Sequence, residues 1–540
     1  MFWADKIADE VERRYKETIE AGKPIVIRDE KTASGQVHVG SLRSAALHAI
    51  VADILRDRGH NVEFYFEIND FDPMDGIPGY LDEETYKKYM GHPLFKIPSP
   101  EPGFDNFAEL YGQEYVEVVN KIGFGAEVYR ATDLYKEGKM NEQIRSVLDN
   151  KETIHKIYKE VSGSERAADW YPLNVVCESC GNLSATRITG WDGEVVTYTC
   201  SPDTIAWAEG CDHNGTISPF DGSASLPWKP EWAAKFKAKG VHFEGGGKDH
   251  YSKGGSRQVA DAISREVLEH EPPYGVFNEF FLVGGKKMSS SKGNAATAIE
   301  MVELLPPHIL RLLLLKTPIN RQIDFDPEGD AVPVLWDVYD RLAEKTWSGI
   351  EDDDSQVFKF SHLPNERGSI AERRFLPRFS QIAFFVQMPH MDVYQEVVKM
   401  KESELTDADR AEIDLRVEYA KRWLANYADE RFIFTLQDSI PEAVSVISDE
   451  QRQAVLGAVS APVAGISGGA GTGKTTILQA IIGLYESLSE GLVCLPVALS
   501  GRAAQRMAES IGMPAQTIAK LISDHIGEGK PRFPERVLII

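Results

Sequence analysis

Residues 24–70, PIVIRDEKTASGQVHVGSLRSAALHAIVADILRDRGHNVEFYFEIND, leave the chain few ways to fold. A β-branched apolar run, a turn of small residues, a helical pattern and a second β-type run follow one another there, the signature of two parallel strands joined by a helix. Such crossovers build sheets buried on both faces, so the unit predicts an α/β fold with a doubly wound parallel sheet. Ligands of these sheets bind beyond the carboxyl ends of the strands. Residues 32–41 and 67–72 are therefore expected beside a site.

The rest of the chain divides by texture. Residues 4–21 read as a leading helix, with Ile7, Val11, Tyr15 and Ile19 at helical spacing. From 72 to 225 the periodicity is irregular, with helical patches at 108–121 and 142–161 and then a cysteine cluster, and the whole stretch reads as an insertion. The sheet pattern resumes in VHFEGGGKDHY and VFNEFFLVGG, so one sheet domain is expected over residues 1–325. Helical patterns dominate 326–447, and an alanine- and glycine-rich α/β segment occupies 448–540. A chain of 540 residues has room for these units and their cores.

Charge and hydropathy exclude some classes. Apolar runs such as GLVCLPVAL at 491–499 fall well short of the roughly 20 residues that span a bilayer. The first residues carry Asp5, Lys6, Asp9 and Glu10 where a secretory signal would be apolar, so a cytoplasmic protein is expected. A net charge of −24 argues against indiscriminate adhesion to nucleic acid. Local cations remain, among them Lys229, Lys235, Lys237, Lys239, Lys248, Lys253 and Arg257, where a polyanion could dock.

Two loops carry chemistry. TASGQVHVGS, residues 32–41, sits between strand and helix: small residues let the backbone approach a nucleotide, the helix amino terminus offers N–H groups to phosphate, and His38 can donate to it. GGKKMSSSKGN, residues 284–294, follows the strand-like FFLV and sets Lys286, Lys287 and Lys292 on a hydroxyl-rich loop. Such a loop suits a leaving group whose negative charge grows in the transition state, such as pyrophosphate. Glu67, Asp70 and Asp72 at a strand end are candidate partners for a substrate cation.

HVGS at His38 and KMSSS at Lys287 resemble the paired nucleotide signatures of class I aminoacyl-tRNA synthetases. FWADKIADE, LPWKPEWAAKF, GGGKDHYSKGGSR and FFLVGGKKMSSSKGN, taken with them, resemble the class I lysyl-tRNA synthetases, from the start to about residue 445. The resemblance implies a Rossmann-like catalytic domain at 1–325 and a helical anticodon-binding domain at 326–447. It implies formation of lysyl-adenylate from L-lysine and ATP with Mg2+, and transfer of lysine to tRNA-Lys. By the same resemblance Ser34, His38, Gly40, Ser41, Lys286, Lys287, Met288, Ser289 and Ser290 hold ATP, with His38, Ser41, Lys287, Ser290 and Lys292 acting on the reacting phosphates. Thr32, Ser34, Asp70, Trp228 and His250 are implied around the lysine, and Arg373, Arg374, Arg378, Lys421, Arg422 and Trp423 near the anticodon. The signatures depart from the family pattern at Ser41, Ser290 and Asn278, the last standing where a tyrosine is expected. The alternatives are a RecD-like DNA helicase or nucleotide-binding module carried by residues 448–540, or a synthetase-like protein that binds tRNA without activity.

Cys177, Cys180, Cys200 and Cys211 form a second constellation, a set of thiolates able to close a tetrahedral structural zinc site, with His213 an alternative for Cys200 or Cys211. In the tail, GGAGTGKTT satisfies the G-x-x-x-x-G-K-T pattern with Gly468, Gly473, Lys474 and Thr475, and its surroundings resemble the first motor domain of RecD-like helicases. That partial P-loop segment, joined near Ser448, is expected to bind nucleotide at most, without DNA contact or unwinding.

Overall fold

The computed structural model describes residues 2–287, 297–370, 372–434, 451, 453, 455, 474–488, 493–525 and 537–539. The chain forms two compact units, Met1–Ile433 and Phe434–Ile540.

The first unit is organised by the predicted parallel sheet. Ile25–Thr32 pairs with Val62–Asn69 from Ile25↔Val62 to Thr32↔Asn69, and Val62–Asn69 pairs in turn with Glu127–Arg130. On the other side of Ile25–Thr32, Phe243 bridges Ile27, Tyr274 bridges Phe243, and Gly246–Gly247 pairs with Phe277–Asn278, all in parallel. Ile25–Thr32 is thus central, and the chain leaves it first to one side and later to the other, which opens a crevice at its carboxyl end. Glu127–Arg130 corrects the expectation of one continuous insertion over 72–225, because this stretch supplies a sheet strand. The strand is four residues long and largely exposed at its start, too short to show in periodicity.

Ser41–Asp57, the first crossover helix, is buried around most of its circumference, with Leu42, Ala46, Ile50 and Leu55 inaccessible to solvent. It lies between the sheet, Trp3–Arg14 and Pro307–Leu315. Arg43 is buried with it and donates to Thr317 O and Pro318 O at 2.8 Å, satisfying carbonyls beyond the end of Pro307–Leu315. The leading helix ends at Arg14 and a short helix, Lys16–Glu20, follows, where one helix over 4–21 was expected.

Ala331–Trp347, Asp353–Ser361, Phe379–Phe385, Val393–Lys401 and Asp407–Asn426 form the helical part. Its Trp336 and Trp423 share one apolar cluster with Leu310 and Leu314, so residues 326–433 pack continuously with the sheet domain. Trp423 is buried, packs at a tilt against Phe379 with ring centroids 6.0 Å apart and donates to Pro327 O at 2.9 Å. Arg374 is tied to Tyr339 and Glu412. Trp423 is thus a packing residue, while Arg374 is half-buried.

In the second unit Val493–Leu495 pairs in parallel with Val537–Ile539, and Val497–Ala498 with Gln516–Thr517. Helices Lys474–Leu488, Gly501–Ile511 and Ile518–His525 accompany them. No helix among the described residues is long and apolar enough to cross a membrane.

Gly245, just before Gly246–Gly247, faces the crossover helix closely. A Cβ there would stand 2.5 Å from Leu47 Cδ2 and 2.7 Å from Val276 O, and the carbonyl belongs to backbone that cannot yield. Gly245→Ala is expected to lower stability by about 1–3 kcal/mol, read as a lower urea midpoint at unchanged m-value. An unchanged midpoint would show that helix and strand separate easily.

Candidate active site

The histidine turn meets the chain just beyond the second loop singled out in the sequence. His38 bridges Thr297 in antiparallel fashion, and Ala298 N donates to Val37 O at 2.8 Å. At the other end of the intervening segment, Lys286–Lys287 forms a hairpin strand against Leu282–Val283, which pairs in parallel with Asp324–Phe325. The lysine- and serine-bearing loop is therefore anchored at one end to the sheet domain and at the other directly to the histidine turn. Thr297 also caps Ala298–Leu304 in a box with Glu300, which fixes where the loop ends. Met288, Ser289, Ser290 and Lys292 lie outside the described residues, and of Lys286 and Lys287 only the backbone is described.

A cavity of about 290 Å³ lies between these segments, lined by His38, Gly40, Ser41, Trp228, His250 and Asn278 with the Gly245–Gly247 backbone. The amino terminus of Ser41–Asp57 opens on it, so the positive end of the helix dipole faces the cavity, while Ser41 N, Leu42 N and Arg43 N donate to His38 O, Val39 O and Gly40 O. Gly35 has φ +145°, and a Cβ there would meet the Tyr80 hydroxyl at 2.7 Å, while that hydroxyl accepts from Gln36 N at 2.7 Å. The turn thus needs glycine to hold its course.

A neighbouring cavity of about 410 Å³ is lined by Thr32, Ser34, Asp72, Ser184, Ser225 and Trp228. Trp228 borders both cavities, its ring centroid 5.2 Å from Trp232 and 5.6 Å from His250. Asp70 is elsewhere: its carboxylate accepts from Thr132 N at 2.9 Å and Thr132 Oγ1 at 2.7 Å, capping Ala131–Lys136, and it lines neither cavity. Asp72 is the strand-end acid that reaches the cavity.

Below both cavities runs a buried charge network that the sequence reading missed. Arg28 donates to Glu244 at 2.7 and 2.8 Å, to Glu67 at 2.9 Å and to the Tyr129 hydroxyl at 2.8 Å, and also contacts Glu30. Lys235 pairs with Glu67 at 2.5 Å and, one helical turn away, with Glu231 at 2.9 Å. Tyr135 OH donates to Glu231 at 2.7 Å and Trp232 Nε1 to Glu244 at 2.5 Å. Burial pushes the Glu67 carboxyl up, but Arg28 and Lys235 together outweigh it and hold it ionised, at about 2. Lys235 and Arg257, read from sequence among cations open to a polyanion, are interior; Arg257 pairs with Asp261 at 2.7 Å and donates to Glu244 O at 2.8 Å. A signal was present: parallel strands buried on both faces are ordinarily continuous apolar runs, and IVIRDEKT and VEFYFEIN carry Arg28 and Glu67 mid-strand.

Cys177, Cys180, Cys200 and Cys211 converge, their sulfurs all within 4.8 Å of one another. Cys177–Cys211 and Cys180–Cys200 Sγ separations are 3.7 Å, matching the edge of about 3.8 Å of a tetrahedron with 2.3 Å metal–sulfur bonds. His213 pairs with Cys200 across Val196–Cys200 and His213–Ile217 and is not in this group. In the second unit Lys474 opens the helix Lys474–Leu488, while Gly468 and Gly473 fall outside the described residues, as do the side chains of Lys474 and Thr475.

A parallel sheet with a small-residue turn and a helix amino terminus beside one crevice defines an α/β fold of the doubly wound kind. Residues 1–365 match the family model for tRNA synthetases class I (K), and the chain belongs to that family. A lysine–tRNA ligase of Methanosarcina barkeri (strain Fusaro) is 33% identical over 453 residues, covering 83% of this chain and 80% of that protein. Lysine–tRNA ligase 1 of Methanosarcina acetivorans is 31% identical, with 85% and 82% covered, and the lysine–tRNA ligase of Archaeoglobus fulgidus is 31% identical, with 84% and 85% covered. Residues 451–539 match an AAA domain model.

Glu67→Gln removes the carboxylate shared by Arg28 and Lys235 and is expected to destabilise the first unit by about 3–5 kcal/mol near neutral pH. Glu67 is held below its ordinary value, so its contribution is present above about pH 4.5 and is lost as pH falls toward about 2. Denaturant midpoints of the two proteins should therefore draw together in acid; a constant gap would place the loss elsewhere.

Proposed function

We propose that the first unit is a lysine–tRNA ligase, activating L-lysine with ATP and transferring it to tRNA-Lys. A lysine carboxylate oxygen bonds to the α-phosphorus as the bond to pyrophosphate breaks, and a 3′-terminal hydroxyl of the tRNA then displaces AMP at the carbonyl. Side chains do little covalent work here, so positioning and charge stabilisation carry the acceleration. His38, Gly40 and Ser41 with the helix amino terminus receive the phosphates, and Lys286, Lys287 and Lys292 with Ser289 and Ser290 receive the growing charge on pyrophosphate. Mg2+ travelling with ATP neutralises part of that charge. Thr32, Ser34, Trp228 and His250 surround the amino acid, the two rings covering its apolar stem. The observation that carries this reading is the cavity shared by His38, Ser41 and the strand entering the KMSSS hairpin, together with family membership. Lysine-dependent ATP–pyrophosphate exchange is the test: Lys287→Ala is expected to reduce it roughly 100-fold or more with little change in the lysine KM. Exchange absent with every amino acid would overturn the reading.

Zinc is the metal the cysteine site fits, with a structural role: Cys177 and Cys180 on one side and Cys200 and Cys211 on the other fix the hairpins of residues 186–217. Purified protein should carry about one zinc per chain, and Cys180→Ser should lose it and unfold several degrees lower by calorimetry. Full zinc content in that variant would contradict the assignment. The AAA-domain match supports nucleotide binding at Gly468, Gly473, Lys474 and Thr475 as a separate property of the second unit.

A further inference from the structure

We propose that Asp72 is the acceptor for the ε-ammonium of lysine, and that lysine binding expels a proton from its carboxyl group. This rests on the reading of the two cavities as a lysine–adenylate site. Asp75 and Asp249, which also line them, are exposed; the buried and half-buried acids fall into two groups. Glu30 and Glu244 are held by Arg28, Glu279 pairs with Lys248 at 2.5 Å, and Asp29 accepts from Ser44 at 3.0 Å with His48 at 3.5 Å. Asp72 differs: it accepts from Thr32 Oγ1 at 2.8 Å, and among the described residues no cation lies within ion-pair distance of it. It lines the cavity that Thr32, Ser34 and Trp228 enclose, so a carboxylate, two hydroxyls and an indole border one space.

The network beneath explains why such a carboxyl would be neutral in the empty site. Arg28 and Lys235 face Glu30, Glu67, Glu231 and Glu244, an excess of acids over cations on the side of the cleft where Asp72 sits. Burial raises the Asp72 carboxyl, to about 7, Glu231 and then Glu30 adding to the rise while Lys235 and the Thr32 hydroxyl oppose it. An arriving ammonium supplies the missing positive charge, so the carboxyl ionises as the ligand binds. A ligand of the same length with an uncharged end offers no such compensation. The site therefore selects an ammonium through its protonation state as well as through its shape.

The sign of the pH dependence follows. Below about pH 7 the proton must leave before the ammonium can pair, so lysine affinity falls as pH falls, approaching tenfold per unit; above it the affinity levels off. Isothermal titration of L-lysine into the full chain, in buffers of differing ionisation enthalpy at pH 6 and pH 8, reads the proton directly. Release near one proton per lysine is expected at pH 6 and little at pH 8. Asp72→Asn should abolish the difference, weaken lysine roughly 10- to 100-fold at pH 8 and leave binding of norleucine, the same stem without the ammonium, no weaker. Thr32→Val, which keeps the carboxyl but removes the donor that lowers it, should move the bend in the affinity profile to higher pH. No proton release by the unaltered protein at pH 6, or unchanged release by Asp72→Asn, would overturn the proposal. If lysine-dependent exchange persists in that case, only the role of Asp72 falls; if no amino acid supports exchange, the reading of the site falls with it.

Discussion

The constraint on which the site depends is a short piece of backbone pairing. Val37 and His38 accept the chain at Ala298 and Thr297, so a turn near the start of the sequence and the end of a loop near residue 297 form one local structure. A loop whose two ends are both fixed explores far less space than one tethered at a single end. The helix amino terminus at Ser41 and the strand residue Phe281, which leads into the hairpin at Lys286–Lys287, border one volume.

The buried ion network serves the same end from below. Replacing paired charges with apolar groups often costs a core nothing, so burying Arg28 and Lys235 is not explained by stability alone. Their positions link the central strand, its neighbours and Trp228–Lys239, which carries Trp228 itself. The network thus fixes the register of the helix that places an aromatic ring between the two cavities. It also leaves a surplus of negative charge near Thr32 and Asp72, where a cationic amino acid would arrive.

Much of the architecture was legible because its signals are local. The strand–turn–helix–strand run and the cysteine cluster depend on spacing within short segments, and each is found as spacing predicts. What was not legible depends on neighbours distant in sequence. Glu127–Arg130 is a strand because Tyr65–Ile68 lies beside it, and nothing in four residues announces that. Asp70 and Asp72 look equivalent in the sequence, but the pleat and the following turn send one to cap Ala131–Lys136 and the other to the cavity. Trp423, basic and aromatic surroundings notwithstanding, is drawn inside by Phe379 and Phe432.

The central claim is that residues 37–42 and 277–299 close on a single triphosphate. Amide hydrogen exchange of the full chain with and without a non-hydrolysable ATP analogue tests it directly, because both segments contribute backbone N–H groups to or beside the crevice. Slowing of exchange in both segments at the same analogue concentration is the predicted result. Protection confined to one of them, with the other exchanging as in the ligand-free protein, would contradict it.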